Sequence, residues 1–231
     1  MVNGGSEMVM FEQEIKVNGF SIVDNYLNLD SLAWPPPCGI ELLIQDIAAF
    51  NINPGRAGIR NLLALVPSVK RLAQSPEIRS LVEPILGDGA RVVRGIFFDK
   101  NPTTNWKVPW HQDLSIAVKN RLDLPDYHPW SVKAGISHVQ PPRAILEQML
   151  TVRIHLDRTD ESNGALKVIP GSHRQGKLSN LEIDRSTEAS IYRYFLQLRG
   201  WRNTPDAPII VTCFIDRHST QSSPSDSSRI Y

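Results

Sequence analysis

Leu150-Thr-Val-Arg-Ile-His-Leu156, Asp157-Arg-Thr-Asp-Glu-Ser-Asn-Gly164 and Ala165-Leu-Lys-Val-Ile-Pro-Gly-Ser-His173 together decide how the second half of this chain folds. The outer runs, Leu150–Leu156 and Leu166–Ile169, are short, apolar and rich in β-branched residues, which reads as two strands. An acidic turn closing at Asn163-Gly164 joins them, and Pro170-Gly171-Ser172 turns the chain again. Alternation along the first strand places Arg153 and His155 on one face and Ile154 on the other.

Working outward, further strands are expected at Arg91–Phe98, Leu114–Val118 and Ile209–Phe214, separated by turn signals such as Asn101-Pro102. Before Ala90 the character is helical. Residues 1–10 read as a flexible tail and 11–231 as a single domain. A short helix is expected at Phe11–Val17, ending at Asn18-Gly19, then a strand Phe20–Val23. After the Pro35-Pro36-Pro37-Cys38-Gly39 break, Leu42, Leu43, Ile47 and Phe50 show helical spacing within 41–50. Asn51–Arg60 reads as a loop. Ser75-Pro76-Glu77 opens a helix with Ser75 as N-cap and Pro76 at the first position, and Gly87-Asp88-Gly89 stops it. Residues 181–200 read as helical in their second half. Helices lead and strands follow, which predicts an α-helical cover on a β-sandwich or barrel.

Composition sets bounds. Hydrophobic content of 41% and charged content of 21% are ordinary globular values. Lys+Arg 25 against Asp+Glu 24, with no basic block, argues against nucleic acid and anionic membrane as partners. No apolar run approaches a membrane span, and the N-terminus lacks a secretion pattern. The two cysteines, Cys38 and Cys213, form neither a disulfide framework nor a zinc pair. A soluble cytoplasmic protein is expected.

Chemistry concentrates in His111-Gln112-Asp113. In extended backbone His111 and Asp113 share a face and offer two of the three ligands of a 2-His-1-carboxylate facial triad, the arrangement that holds Fe(II) with open positions. His218, brought near Asp113 by a closed barrel, would complete it. Arg229, eleven residues further on, would offer a planar charged fork to the carboxylate of an acidic cosubstrate.

Three segments together, His-Gln-Asp at 111–113, Asn-Gly-x-Leu-x-Val-x-Pro-Gly-Ser-His at 163–173 and His…Arg at 218 and 229, resemble the phytanoyl-CoA dioxygenase family of Fe(II)- and 2-oxoglutarate-dependent oxygenases. The resemblance implies a β-rich α+β fold: a double-stranded β-helix (jelly roll, cupin-like) with N-terminal and covering helices. It implies His111, Asp113 and His218 as iron ligands and Arg229 as partner of the distal carboxylate of 2-oxoglutarate. Thr220 matches an assisting hydroxyl position, and Lys100 and Arg153 match positions lining the cosubstrate pocket. The implied reaction uses Fe(II), 2-oxoglutarate as cosubstrate and O2 to hydroxylate a C–H bond of a small organic substrate, releasing succinate and CO2. Asp113 argues against the halogenating branch, which lacks this carboxylate. The resemblance implies that relatives continue beyond the distal Arg, and on that reading a domain shortened at its C-terminal end is expected. The alternative is a catalytically impaired family member acting as a ligand-binding module.

Other residues have plainer readings. His173 is expected to have a structural or lid role, His155 to be either cavity-lining or a core histidine, and His128 and His138 to be exposed in a loop. Trp106, Trp110 and Trp130 read as packing before they read as a substrate wall. The segment 119–142 is the candidate substrate lid.

Overall fold

The computed structural model describes residues 4–23, 40–50, 58–99, 109–156, 165–189, 194–196 and 209–216. His218, Thr220, Arg229, Lys100, Cys38 and Trp106 lie outside these residues.

Helices come first. α1 (Gly4–Asn18) begins seven residues before the expected Phe11 and takes in most of the stretch read as a tail. Glu7, Met8, Met10, Glu12 and Gln13 are good helix formers, so the propensity there is continuous. Gly19, at φ 84°, ends the helix by donating its N–H to Ile15 O at 2.9 Å. Phe20–Val23 is irregular and not the expected strand. α2 (Ile40–Phe50) matches the apolar spacing, and β1 (Gly58–Ile59) is a two-residue strand where a loop was expected. α3 (Leu62–Leu65) and α4 (Pro67–Ala73) lead to α5 (Pro76–Leu86), which opens as expected: Ser75 Oγ accepts Ile78 N–H at 3.4 Å, and Gly87 is the C-cap.

Strands follow: β2 (Arg91–Asp99), β3 (Ile116–Val118), β4 (Trp130–Lys133) and β5 (Ile136–Val139). A short helix α6 (Arg143–Leu146) precedes β6 (Met149–His155) and β7 (Leu166–Val168), and α7 (Asn180–Ala189) precedes β8 (Tyr194–Leu196) and β9 (Ile209–Asp216). The expected helix in the second half of 181–200 is corrected. The helix occupies 180–189, and Tyr194–Leu196 is a strand paired antiparallel with Leu166–Val168. A short aromatic-aliphatic run is ambiguous by periodicity, and a waiting partner strand decides it.

All sheet pairings are antiparallel: a larger sheet in the order β1-β2-β9-β6, a smaller one in the order β3-β5-β4, and the pair β7-β8. The larger sheet has two unlike faces. Phe97, Ile154 and the partly buried Val92, Leu150 and Val152 pack against Leu43, Ile47, Leu62, Val69, Leu72, Ile78 and Val82 from the helices. Alternation turns Arg94, Ile96, Arg153 and His155 to the opposite, inner face. The smaller sheet buries Ile116, Val118 and Val139 with Trp130 on one side. Its other side carries Ala117, Ser131, Lys133, Ile136 and His138.

Candidate active site and metal centre

The His111–Asp113 pair sits just before β3, in backbone outside any helix or strand. His111 Nδ1 lies 2.8 Å from Pro109 O. A carbonyl can only accept, so Nδ1 carries a proton and Nε2 is the nitrogen that could bind a metal. That nitrogen lies 3.8 Å from Asp113 Oδ1, and the two side chains are 52% and 75% exposed, so both donors remain open to a ligand. A ring tethered through one nitrogen to a carbonyl, with the other facing a carboxylate, is how metal-binding histidines are oriented. The pair therefore fits two positions of an Fe(II) site. Among the described residues no group of three His, Cys, Asp or Glu side chains gathers to hold a metal, and His218 lies outside them.

Between them, Gln112 points away and is clamped at both ends. Its Nε2 donates to Gly176 O at 2.7 Å, and its Oε1 accepts Leu178 N–H at 2.7 Å. The loop carrying the pair is thus fastened to backbone more than sixty residues away, beyond the Pro-Gly turn.

Arg153 projects from the inner face of β6. Burial lowers its guanidinium from the ordinary arginine value while the Asp113 carboxylate acts the other way, so the two are close enough to feel each other. Its Nε–H is buried without a hydrogen-bond partner among the described residues. A buried, charged donor of that kind destabilises the fold until an acceptor arrives. His155, on the same face, is 6% exposed. Burial first and the Arg153 charge second bring it down to about 4, so it is neutral at physiological pH.

Several residues differ from expectation. His138 is buried, not exposed in a loop: it is 1% exposed on β5. The segment 119–142, read as a loop, contains the β4–β5 hairpin of the smaller sheet, turned at Ala134-Gly135 with φ 52° and 78°. Both turn residues having positive φ is the twist-matched two-residue hairpin, and Gly135 was its readable signal. Trp130 packs beside Val139, with the Arg121 guanidinium 5.3 Å from its ring centroid, so it is packing as expected. His173 lies against Gly19 and donates Nε2–H to Lys16 O at 3.3 Å, which is the structural role expected.

Arg94 and Lys133 escaped the sequence reading. Lys133 Nζ donates to Ser115 Oγ at 3.2 Å, two residues from Asp113, and the Asp113 charge acts on both cations. A shallow cleft bordered by Ala73, Ile78, Val82, Glu83 and Arg91 lies on the helix-covered side of β2 and contains none of these groups.

No curated protein matches the sequence. Among solved structures, the epimerase SnoN from nogalamycin biosynthesis, in a complex with Fe3+, alpha ketoglutarate and nogalamycin RO, superposes with a TM-score of 0.59 at 14% identity, covering 98% of this chain and 96% of that one. HygX from Streptomyces hygroscopicus, with nickel, 2-oxoglutarate and hygromycin B bound, gives 0.57 at 12% identity over 91% and 87%. EctD from S. alaskensis, with 2-oxoglutarate and 5-hydroxyectoine, gives 0.54 at 14% over 92% and 77%. These likenesses establish a shared fold. The phytanoyl-CoA dioxygenase family profile matches residues 47–197, well over half of the 231, and the chain belongs to that family.

Proposed function

We propose that this protein is an Fe(II)- and 2-oxoglutarate-dependent dioxygenase that hydroxylates a C–H bond of a small organic molecule, inside a double-stranded β-helix formed by the two sheets. The observation that carries this is His111 Nε2 facing Asp113 Oδ1 at 3.8 Å, with the partly buried Arg153 close enough for the carboxylate's charge to act on it. Two cysteines in the chain suit a reducing compartment, and the cytoplasm is the proposed location.

His111 and Asp113 would hold the metal, with His218 as third ligand. Arg153 would offer its unpartnered Nε–H to a carboxylate oxygen of 2-oxoglutarate. Arg229 would take the distal carboxylate through its guanidinium fork, with Thr220 and Lys100 beside it. When bound, iron and 2-oxoglutarate supply the oxidation of substrate by O2, so that R–H, O2 and 2-oxoglutarate become R–OH, succinate and CO2. The chain contributes orientation and charge. Neutral His155 adds a polar group to the inner wall without adding a second positive charge beside Arg153.

Anaerobic addition of Fe(II) and 2-oxoglutarate tests this directly. The expected result is a weak visible charge-transfer band in the wild type, lost in His111→Ala and in His218→Ala. With oxygen and substrate, product should gain one oxygen atom per succinate formed. A folded protein that shows no band would return the chain to the ligand-binding alternative. A band with turnover but no oxygen gain would keep the cofactors and replace hydroxylation with another oxidation.

A further inference from the structure

A helix leaves its last four carbonyls without partners in its own ladder. In α1 these belong to Ile15, Lys16, Val17 and Asn18. Gly19 N–H closes on Ile15 O, but the next partners come from the far end of the sequence. Gly171 donates its N–H to Asn18 O at 2.8 Å, and His173 donates Nε2–H to Lys16 O at 3.3 Å. The imidazole lies so close over Gly19 that a Cβ there would stand 2.7 Å from its Cγ and nearer still to Nδ1. With φ at 84° as well, position 19 is suited to glycine.

The segment that caps α1 also holds the candidate metal pair. Ser172–Gln175 forms a single 3-10 turn, and Arg174 N–H donates to Gly171 O at 3.2 Å, which ties the two ends of the turn together. Directly after it, Gly176 O accepts Gln112 Nε2–H and Leu178 N–H donates to Gln112 Oε1, each at 2.7 Å. On its other side Gly176 is crowded by α6: a Cβ there would lie 2.6 Å from the Arg143 guanidinium, which is itself paired with Glu147 Oε1 at 2.5 Å. A continuous series of hydrogen bonds therefore runs from the last turn of α1, through residues 171–178, to the residue between His111 and Asp113.

Elsewhere α1 is thinly anchored. Of its described side chains, Met10 to Asn18, none is buried and none belongs to either apolar core. Met10 is 63% exposed and Val17 42%. An element that buries so little apolar surface opens at low free-energy cost, long before the core does.

We propose that α1 is a detachable strap for the metal loop, with Gly19 and His173 as its catch. Docked, α1 holds residues 171–178 where Gln112 can span them, and so holds His111 and Asp113 in place for the metal. Released, it loosens both. His173 is then a positioning residue that acts through Gln112 without touching the metal. The assignment deepens the dioxygenase reading and rests on it for the identity of the metal pair.

Hydrogen exchange of the Leu178 amide in the full-length, metal-free protein, followed by NMR, tests the strap without a ligand. Gly19→Ala drives a methyl into the His173 ring, and His173→Ala removes an exposed donor. Each should speed that exchange about threefold or more, the equivalent of one modest hydrogen bond, while core amides such as Val82 in α5 keep their wild-type rates. Calorimetric titration with Ni(II) then reads the metal pair. Each variant should weaken Ni(II) binding by about the same factor, and neither should weaken it further in a Gln112→Ala background, where the link is already cut. His173→Gln, which keeps a side-chain N–H donor, should restore much of both. Wild-type exchange at Leu178 in both variants overturns the proposal. So do unchanged Ni(II) affinities, or losses that simply add to that of Gln112→Ala. A wild type with no Fe(II)–2-oxoglutarate charge-transfer band defeats the dioxygenase reading instead, and leaves the Leu178 exchange to decide the strap.

Discussion

Gln112 sets the position of the two side chains on either side of it. Its amide satisfies the carbonyl of Gly176 and the N–H of Leu178, both at 2.7 Å. Gln112→Ala would leave these part-buried groups unpaired, and a loss of about 1–3 kcal/mol in urea unfolding is expected. Because His111 and Asp113 ride on the same extended segment, Ni(II) affinity should fall about 10–100-fold. A variant equally destabilised but with wild-type metal affinity would show that the clamp serves folding alone. His155 yields a pH prediction. Its folded value of about 4 lies below the 6.5 of an exposed histidine. Between those values the unfolded chain takes up a proton that the folded chain refuses. Its contribution to stability is therefore complete above pH 6.5 and lost as pH falls towards 4, on the order of 3 kcal/mol in all. Denaturant midpoints should fall over that window, and His155→Gln should flatten the slope; an unchanged slope would assign the acid sensitivity to other groups. At this scale it was legible in the sequence that Arg153 and His155 share a face, because strand alternation fixes which side chains do. The sequence could not reveal that Gln112 reaches Gly176, since a contact spanning more than sixty residues leaves no local signal.

The β2 strand shows what an element adds to its residues. Arg91–Phe98 was legible as a strand from its β-branched and aromatic run, and α5 from its cap, its proline and its apolar stripe. The bulge at Val93, between the pairs Val92–Ile215 and Arg94–Phe214, was not legible, because an inserted residue has no mark in composition and depends on what β9 offers opposite it. The β4–β5 hairpin was hidden for a related reason: short half-exposed strands with prolines around them resemble a loop until a partner is found. Gly95 exposes the packing between β2 and α3. A Cβ there would lie 2.9 Å from Leu63 Cγ and 3.0 Å from Cδ2, so the branched end of Leu63 occupies the room that glycine leaves. Gly95→Ala should cost about 1–3 kcal/mol through overpacking. Leu63→Ala removes the obstacle, so in a double-mutant cycle the pair should be less damaging than the sum of the singles. Strict additivity would show that Gly95 is required for its backbone and not for the space beside it.

For the whole molecule, the decisive arrangement is that the proposed ligands come from parts of the fold that meet only in the native state. His111 and Asp113 lead into β3 of the smaller sheet, and Arg153 stands on β6 of the larger one. The helices cover the opposite face of that larger sheet, and among the described residues their core does not bridge the two inner faces. Like charges face one another there instead: Arg94 from β2 lowers Lys133 from β4 after burial has done so. A metal with a dicarboxylate, spanning in the proposed site from His111 and Asp113 to Arg153, should tie the sheets together. Ni(II), which binds such ligands without redox chemistry, and 2-oxoglutarate at about 100 times its dissociation constant should raise unfolding free energy by about 2.7 kcal/mol, since neither has a formed site on the unfolded chain. The gain should need both, because in the proposed site the dicarboxylate would reach Arg153 from a metal held by His111 and Asp113. His111→Ala should remove it, whereas Gly95→Ala, which acts on the helix side, should lower the baseline and keep the gain. Full stabilisation by 2-oxoglutarate without metal would mean that the cations alone bind it, and would separate the anion chemistry of this interior from its iron.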